Sequence, residues 1–125
     1  MFQEFLSNGS IFALILLMYG ASVGMESFRV ATYSPASRTS VMAHWSHPIY
    51  CFASVVGTTW AAIYIGSYSG VMAGLIAWFG LQIVSAVLSL FFLRGPMLGL
   101  HLMVGYLALP IGYGLSFATL PQGSL

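Results

Sequence analysis

Between Val41 and Cys51 the chain reads VMAHWSHPIYC, bringing Met42, His44, His47 and Cys51 together, four side chains able to ligate a metal. Soft Met42 and Cys51 beside two imidazoles would suit copper better than magnesium or calcium. Chelation by His44 and His47 on one helical face needs a helix running through both, and Pro48 opposes it. The residue before a proline is pushed out of the α region, while proline is favoured in a helix's first turn, so a helix is expected to begin around Ser46 to Pro48. His44 and Trp45 then fall in an interfacial loop. Without a carboxylate or a third nearby imidazole to define a geometry, His44, His47 and Cys51 are not expected to hold a metal.

His101 is the other imidazole with chemical scope. Its helical face continues through Gly105, Ala108 and Gly112, so it points at a close neighbour. The plainer expectation is a hydrogen bond to a carbonyl or hydroxyl of an adjacent helix. The sharper one is an axial ligand of haem b, with His47 as the second imidazole and a small-residue face admitting the macrocycle. Depth opposes that pair: His47 lies at the mouth of its segment and His101 four or five residues further in, ~7 Å by helical rise. No cofactor is therefore expected, haem b being the alternative. Gln82 is expected to be an interhelical hydrogen-bonding group, and Pro110 to remove a helical donor and bend its segment. Nucleophile–base sets, phosphate-binding glycine loops and carboxylate pairs are missing from the sequence, so an independent enzyme is not expected.

The elements that must position these groups are set by composition. Of 125 residues, 59% are hydrophobic and 4% charged, and mean hydropathy is +0.94. A soluble domain so poor in charge would have no surface to show to water. The charged side chains are Glu4, Glu26, Arg29, Arg38 and Arg94, too few for a nucleic-acid footprint. One cysteine, Cys51, excludes an internal disulfide. The opening MFQEFLSNGS has no Lys or Arg before its apolar run, unlike the basic start of a cleaved signal, so it reads as part of a retained span.

A membrane-crossing helix needs roughly 20 apolar residues for ~30 Å of hydrocarbon. Four runs meet this, about 5–25, 47–65, 71–93 and 96–120, giving one all-α integral-membrane domain, 1–125, of four transmembrane helices in a small antiparallel bundle. The first could equally start at Ile11. GSYSG and RGP are expected to be tight turns, and about 26–46 a long loop. Arg29, Arg38 and Arg94 fall on one side, which the positive-inside rule makes cytoplasmic, with both termini on the other side of an inner or plasma-type membrane. They would then sit where haem propionates could pair with them. Trp45, Tyr50, Tyr64, Tyr68 and Tyr113, near span ends, could form interfacial belts.

Small residues recur four apart in every span: Gly20 and Gly24; Ala53, Gly57 and Ala61; Gly70 and Gly74; Ala108 and Gly112. In lipid, close approach over such faces is what favours helix association. The leading expectation is a small accessory subunit packing against larger integral-membrane subunits and lipid. A haem-bearing electron-transfer or anchor subunit, and a small homo-oligomeric channel or transporter for a neutral solute, are the alternatives.

Overall fold

The computed structural model describes residues 2–33, 41–91 and 97–121. Arg38, Arg94, the RGP turn and the end of the PQGSL tail lie outside the described residues. Those described form helices α1 (Gln3–Asn8), α2 (Ile11–Tyr33), α3 (His47–Ser69), α4 (Val71–Phe91) and α5 (Met97–Ala118), with a 3-10 turn at Val41–Ala43 and no strand. Helices α2 to α5 are each long and apolar enough to cross a membrane, the architecture of a multi-pass integral membrane protein.

The first span begins at Ile11, not near Phe5, because Ser10 caps it. Its Oγ accepts from the Ala13 backbone N–H at 3.1 Å, satisfying one donor that the helix start leaves open. The residues before it form the separate α1, whose Phe5 is buried edge-on against Tyr64 and Tyr68. Helix α2 also runs past the expected Met25 to Tyr33, since ESFRVATY contains no Gly or Pro and Pro35 is the first residue to oppose continuation. Glu26 and Arg29 are therefore helical rather than part of a loop. Helix α3 starts at His47 with Pro48 in its first turn, as the sequence predicts, but continues four residues past Ile65. Only Gly70 separates it from α4, at φ +98° and ψ 166°, a conformation that essentially requires glycine. Helix α5 stays helical across Pro110, which faces outward.

Helix α2 packs against α3, α4 and α5, and α3 against α4. Along α2 and α5 the pairings step in opposite senses: a Cβ placed on Gly20 would meet Leu109, one on Gly105 would meet Val23, and one on Gly112 would meet Leu17. Gly24 faces Ser54 and Tyr50 of α3, and Gly57 faces Ala21 of α2 and Leu109 and Tyr113 of α5. Ala61 and Ala108 are buried, while Ala53 is half-buried and accepts at its carbonyl from Tyr113 Oη (2.6 Å). Gly70 is the exception. It has open space around a would-be Cβ, and the partner of Gly74 is Gly66, one turn before Gly70: a Cβ on Gly74 would lie 3.2 Å from Gly66 Cα, and one on Gly66 3.4 Å from Gly74 Cα. Gly70 is a turn residue and Gly66 the packing residue, because the helix runs one turn longer than its hydropathy suggests.

Helices α3 and α5 meet mainly through long aromatic side chains. Tyr50 and Tyr106 rings lie 4.6 Å apart at their centroids, Trp60 stacks on Phe117 at 5.2 Å, and Trp60 Nε1 donates to Ser116 Oγ at 2.7 Å. Two of the tyrosines expected at the interfaces are inside instead. Tyr50 Oη donates to the Gly20 carbonyl (2.6 Å), and Tyr64 is fully buried.

Tyr64 Oη accepts from the Ser10 backbone N–H (2.7 Å) and bonds Thr119 Oγ1 (2.6 Å), tying the start of α2 and the end of α5 to α3. Tyr64→Phe keeps the ring and strands the Ser10 N–H, so a loss of about 1–3 kcal/mol is expected. Thermal unfolding in micelles measures it. An unchanged midpoint would mean that another group satisfies this donor.

Candidate functional site

The cluster with most chemistry lies where the ends of α2 and α3 meet. His47 (4% exposed) and Cys51 are buried one helical turn apart on α3, facing Ser27 and Gly24 of α2. Ser27 donates its hydroxyl proton to the Gly24 carbonyl (2.8 Å), leaving Oγ to accept from His47 Nε2 (2.9 Å). The ring turns an edge to Cys51 Sγ, 3.4 Å from Nε2 and 3.8 Å from Nδ1. Beside them opens a cavity of about 870 Å³, lined by Met25, Met42, His47 and Cys51, with Phe28, Thr32 and Phe52 among its other walls.

The structure redraws the sequence cluster. Met42, His47 and Cys51 converge, whereas His44 is exposed, bonds Ser46 Oγ at 2.8 Å and lies against Trp45. Met25 joins from α2. Nothing in the sequence singled it out, since it lies more than sixteen residues from the others and reads as one of seven methionines in an apolar chain. Among the described residues no three of His, Cys, Asp and Glu come together to hold a metal.

His101 lies elsewhere, 2.5 Å at Nδ1 from Tyr19 Oη, with the rings edge to face. The two imidazoles thus engage different residues of α2, Ser27 and Tyr19, and make no contact with each other. A bis-histidine haem would have to lie between α3 and α5, where the Tyr50–Tyr106 pair fills the space. The residues present do not fit that group.

A second polar feature is the seam between α2 and α4. Ser22 Oγ and Ser85 Oγ hydrogen-bond at 2.8 Å, both buried. Toward the end of α2 follows a groove of about 560 Å³ lined by Glu26, Arg29, Gln82, Ser85 and Ser89. Glu26 is 5% exposed and Arg29 54% exposed; the guanidinium holds both carboxylate oxygens, with Nε donating to Oε2 at 3.0 Å. Three residues apart on one helix, the two side chains are placed to form a local ion pair. Its burial is not legible from the spacing, because it depends on α4 lying over Glu26.

Comparison with protein-family models, with curated proteins and with solved structures finds no match to this chain.

Proposed function

We infer that the chain is a small four-span integral-membrane subunit, an antiparallel bundle that packs against larger membrane subunits and stabilises their assembly. The reading keeps both termini on the non-cytoplasmic side and Arg29 on the cytoplasmic side, by the positive-inside rule. The observation that carries it is how the small residues are divided. Gly20, Gly24, Gly57, Gly105 and Gly112 are consumed by contacts within the chain, yet Gly80 on α4 and Gly114 on α5 face open space. Gly114 continues an exposed row with Pro110 and Ala118. These glycines lie on broad apolar faces: only 17% of the most apolar stretch of α4 is buried, against 56% for α2. A shallow outward groove of this kind admits the ridge of another helix.

The test substitutes the outward glycines, which touch nothing in the chain itself. Gly80→Ile and Gly114→Ile should leave insertion and thermal unfolding of the isolated chain unchanged and should dissociate the native complex, read as mass in mild detergent. A wild-type chain migrating as a monomer, or a complex indifferent to both substitutions, would sink the reading.

A second reading, a small channel for a neutral solute, draws support from the α2–α4 groove with its Gln82, Ser85 and Ser89 lining. It requires solute flux in liposomes holding this chain alone, reduced by Ser85→Leu. Tight liposomes dismiss it.

A further inference from the structure

We propose that the groove between α2 and α4 seats one glycerophospholipid, with its phosphate on Arg29, a glycerol ester on Ser89 and an acyl chain along the exposed face of α4. The proposal does not rest on the subunit reading, and a seated lipid would close the groove to the solute of the second reading.

Three observations converge on it. First, the ion pair turns its positive end outward. Glu26 is buried, whereas the Arg29 side chain is 54% exposed. Two of the five guanidinium N–H groups go to Glu26, leaving three for another acceptor. A phosphodiester suits that fork, because guanidinium–phosphate hydrogen bonds are charge-assisted and geometrically matched. Basic pockets between membrane helices are accordingly where lipid headgroups bind. Secondly, the Ser89 hydroxyl lines the same groove and has no hydrogen-bond partner among the described residues. The other groove serine, Ser85, is taken by Ser22 at 2.8 Å. An unmet hydroxyl facing hydrocarbon is unfavourable, and an ester carbonyl supplies the acceptor it lacks.

Thirdly, the depths agree. Beyond the Ser22–Ser85 contact the groove is lined by Met25, Glu26 and Arg29 of α2 and by Ala86, Ser89 and Leu90 of α4, so the two helices run in the same sense. Arg29 lies seven residues past that contact and Ser89 four, ~10 and ~6 Å at helical rise. Ser89 is therefore the deeper of the two by ~4 Å. In a glycerophospholipid the ester carbonyls lie a few covalent bonds inward of the phosphate, the same order of depth. Ile83, Ala86 and Leu90 share one row of α4 and are all exposed, giving the chain a track toward mid-span. Gln82, ~10 Å deeper than Ser89, lies level with that chain and out of reach of the phosphate and esters.

The experiment strips the full-length chain of lipid in mild detergent and titrates it with phosphatidylglycerol, with diacylglycerol of the same chains and with inorganic phosphate. Native mass spectrometry counts what is bound. The expected result is one phosphatidylglycerol per chain, held at least about tenfold more tightly than diacylglycerol and not displaced by inorganic phosphate. The double substitution Glu26→Gln with Arg29→Gln, which leaves no buried charge, should lower phosphatidylglycerol to the diacylglycerol level. Ser89→Ala should weaken both lipids alike, by about three- to tenfold. Gln82→Leu, and Thr59→Val on the exposed face of α3, should change neither. Absence of a retained lipid, equal affinity for diacylglycerol, or weakening by Gln82→Leu would overturn the proposal. So would displacement by inorganic phosphate, which marks a free-anion site, or affinities unaltered in the double substitution and Ser89→Ala, which leave only non-specific annular lipid.

Discussion

Replacing Gly112 with alanine is expected to destabilise the folded chain by roughly 1–3 kcal/mol, the range for overfilling a packed interior. A Cβ there would sit 2.8 Å from the Leu17 backbone nitrogen and 3.2 Å from the Leu16 carbonyl carbon. Those atoms belong to a helix and cannot rotate aside as a side-chain tip can, so α2 and α5 must part along their seam. Gly20→Ala should behave alike, since its Cβ would meet Leu109 Cβ at 2.8 Å and Leu109 Cα at 3.0 Å. Gly114→Ala is the internal control: it lies two residues from Gly112 on the same helix with nothing within 4 Å, so a change within about 0.5 kcal/mol is expected. Reversible unfolding in mixed micelles reads all three. Equal losses at Gly112 and Gly114 would contradict the seam account, since helix propensity by itself favours alanine over glycine at both positions.

Removing Arg29 is expected to cost more than removing Glu26, although the two share one ion pair. The asymmetry follows from burial. Arg29→Gln leaves a carboxylate that is 5% exposed without its cation, whereas Glu26→Gln leaves a guanidinium already 54% exposed. Breaking a fully buried pair costs roughly 3–5 kcal/mol. Solvent around Arg29 screens this one, so about 1–3 kcal/mol is expected for Arg29→Gln and under about 1 kcal/mol for Glu26→Gln. The double substitution, with no buried charge left, should recover most of the loss. A double-mutant cycle in which Glu26→Gln proves the more costly would contradict this account of the α2–α4 seam.

How far each feature was legible follows from whether its cause is local. The start of α3 was legible to within a residue, because Pro48 acts on its immediate neighbours. The start of α2 was less so: Ser10 is a capping residue by type, but the apolar run on either side of it masks the break. The ends of α2 and α3 were placed too early, because hydropathy falls before helical geometry does and Glu26, Arg29, Ser67 and Ser69 remain compatible with a helix. Gly70 and Gly74 matched the small-residue spacing, yet the close approach pairs Gly66 with Gly74. Spacing along one helix does not say which of its rows meets a neighbour.

Sequence alone determined the solvent and the element type. So few charges among so many apolar residues leave lipid as the medium, and backbone groups in lipid must then bond within helices or closed barrels. All-round apolar runs decide between those two in favour of helices. Only the tertiary structure decided the rotation of each helix about its axis and the depth at which it meets its neighbours. In lipid every face of such a helix is almost equally soluble, so rotation is set by shape, by where Leu109 fits over Gly20 and Leu17 over Gly112. That fit separates His47 from His101. It also brings Met25, from a distant part of the chain, to the cavity that holds Met42, His47 and Cys51.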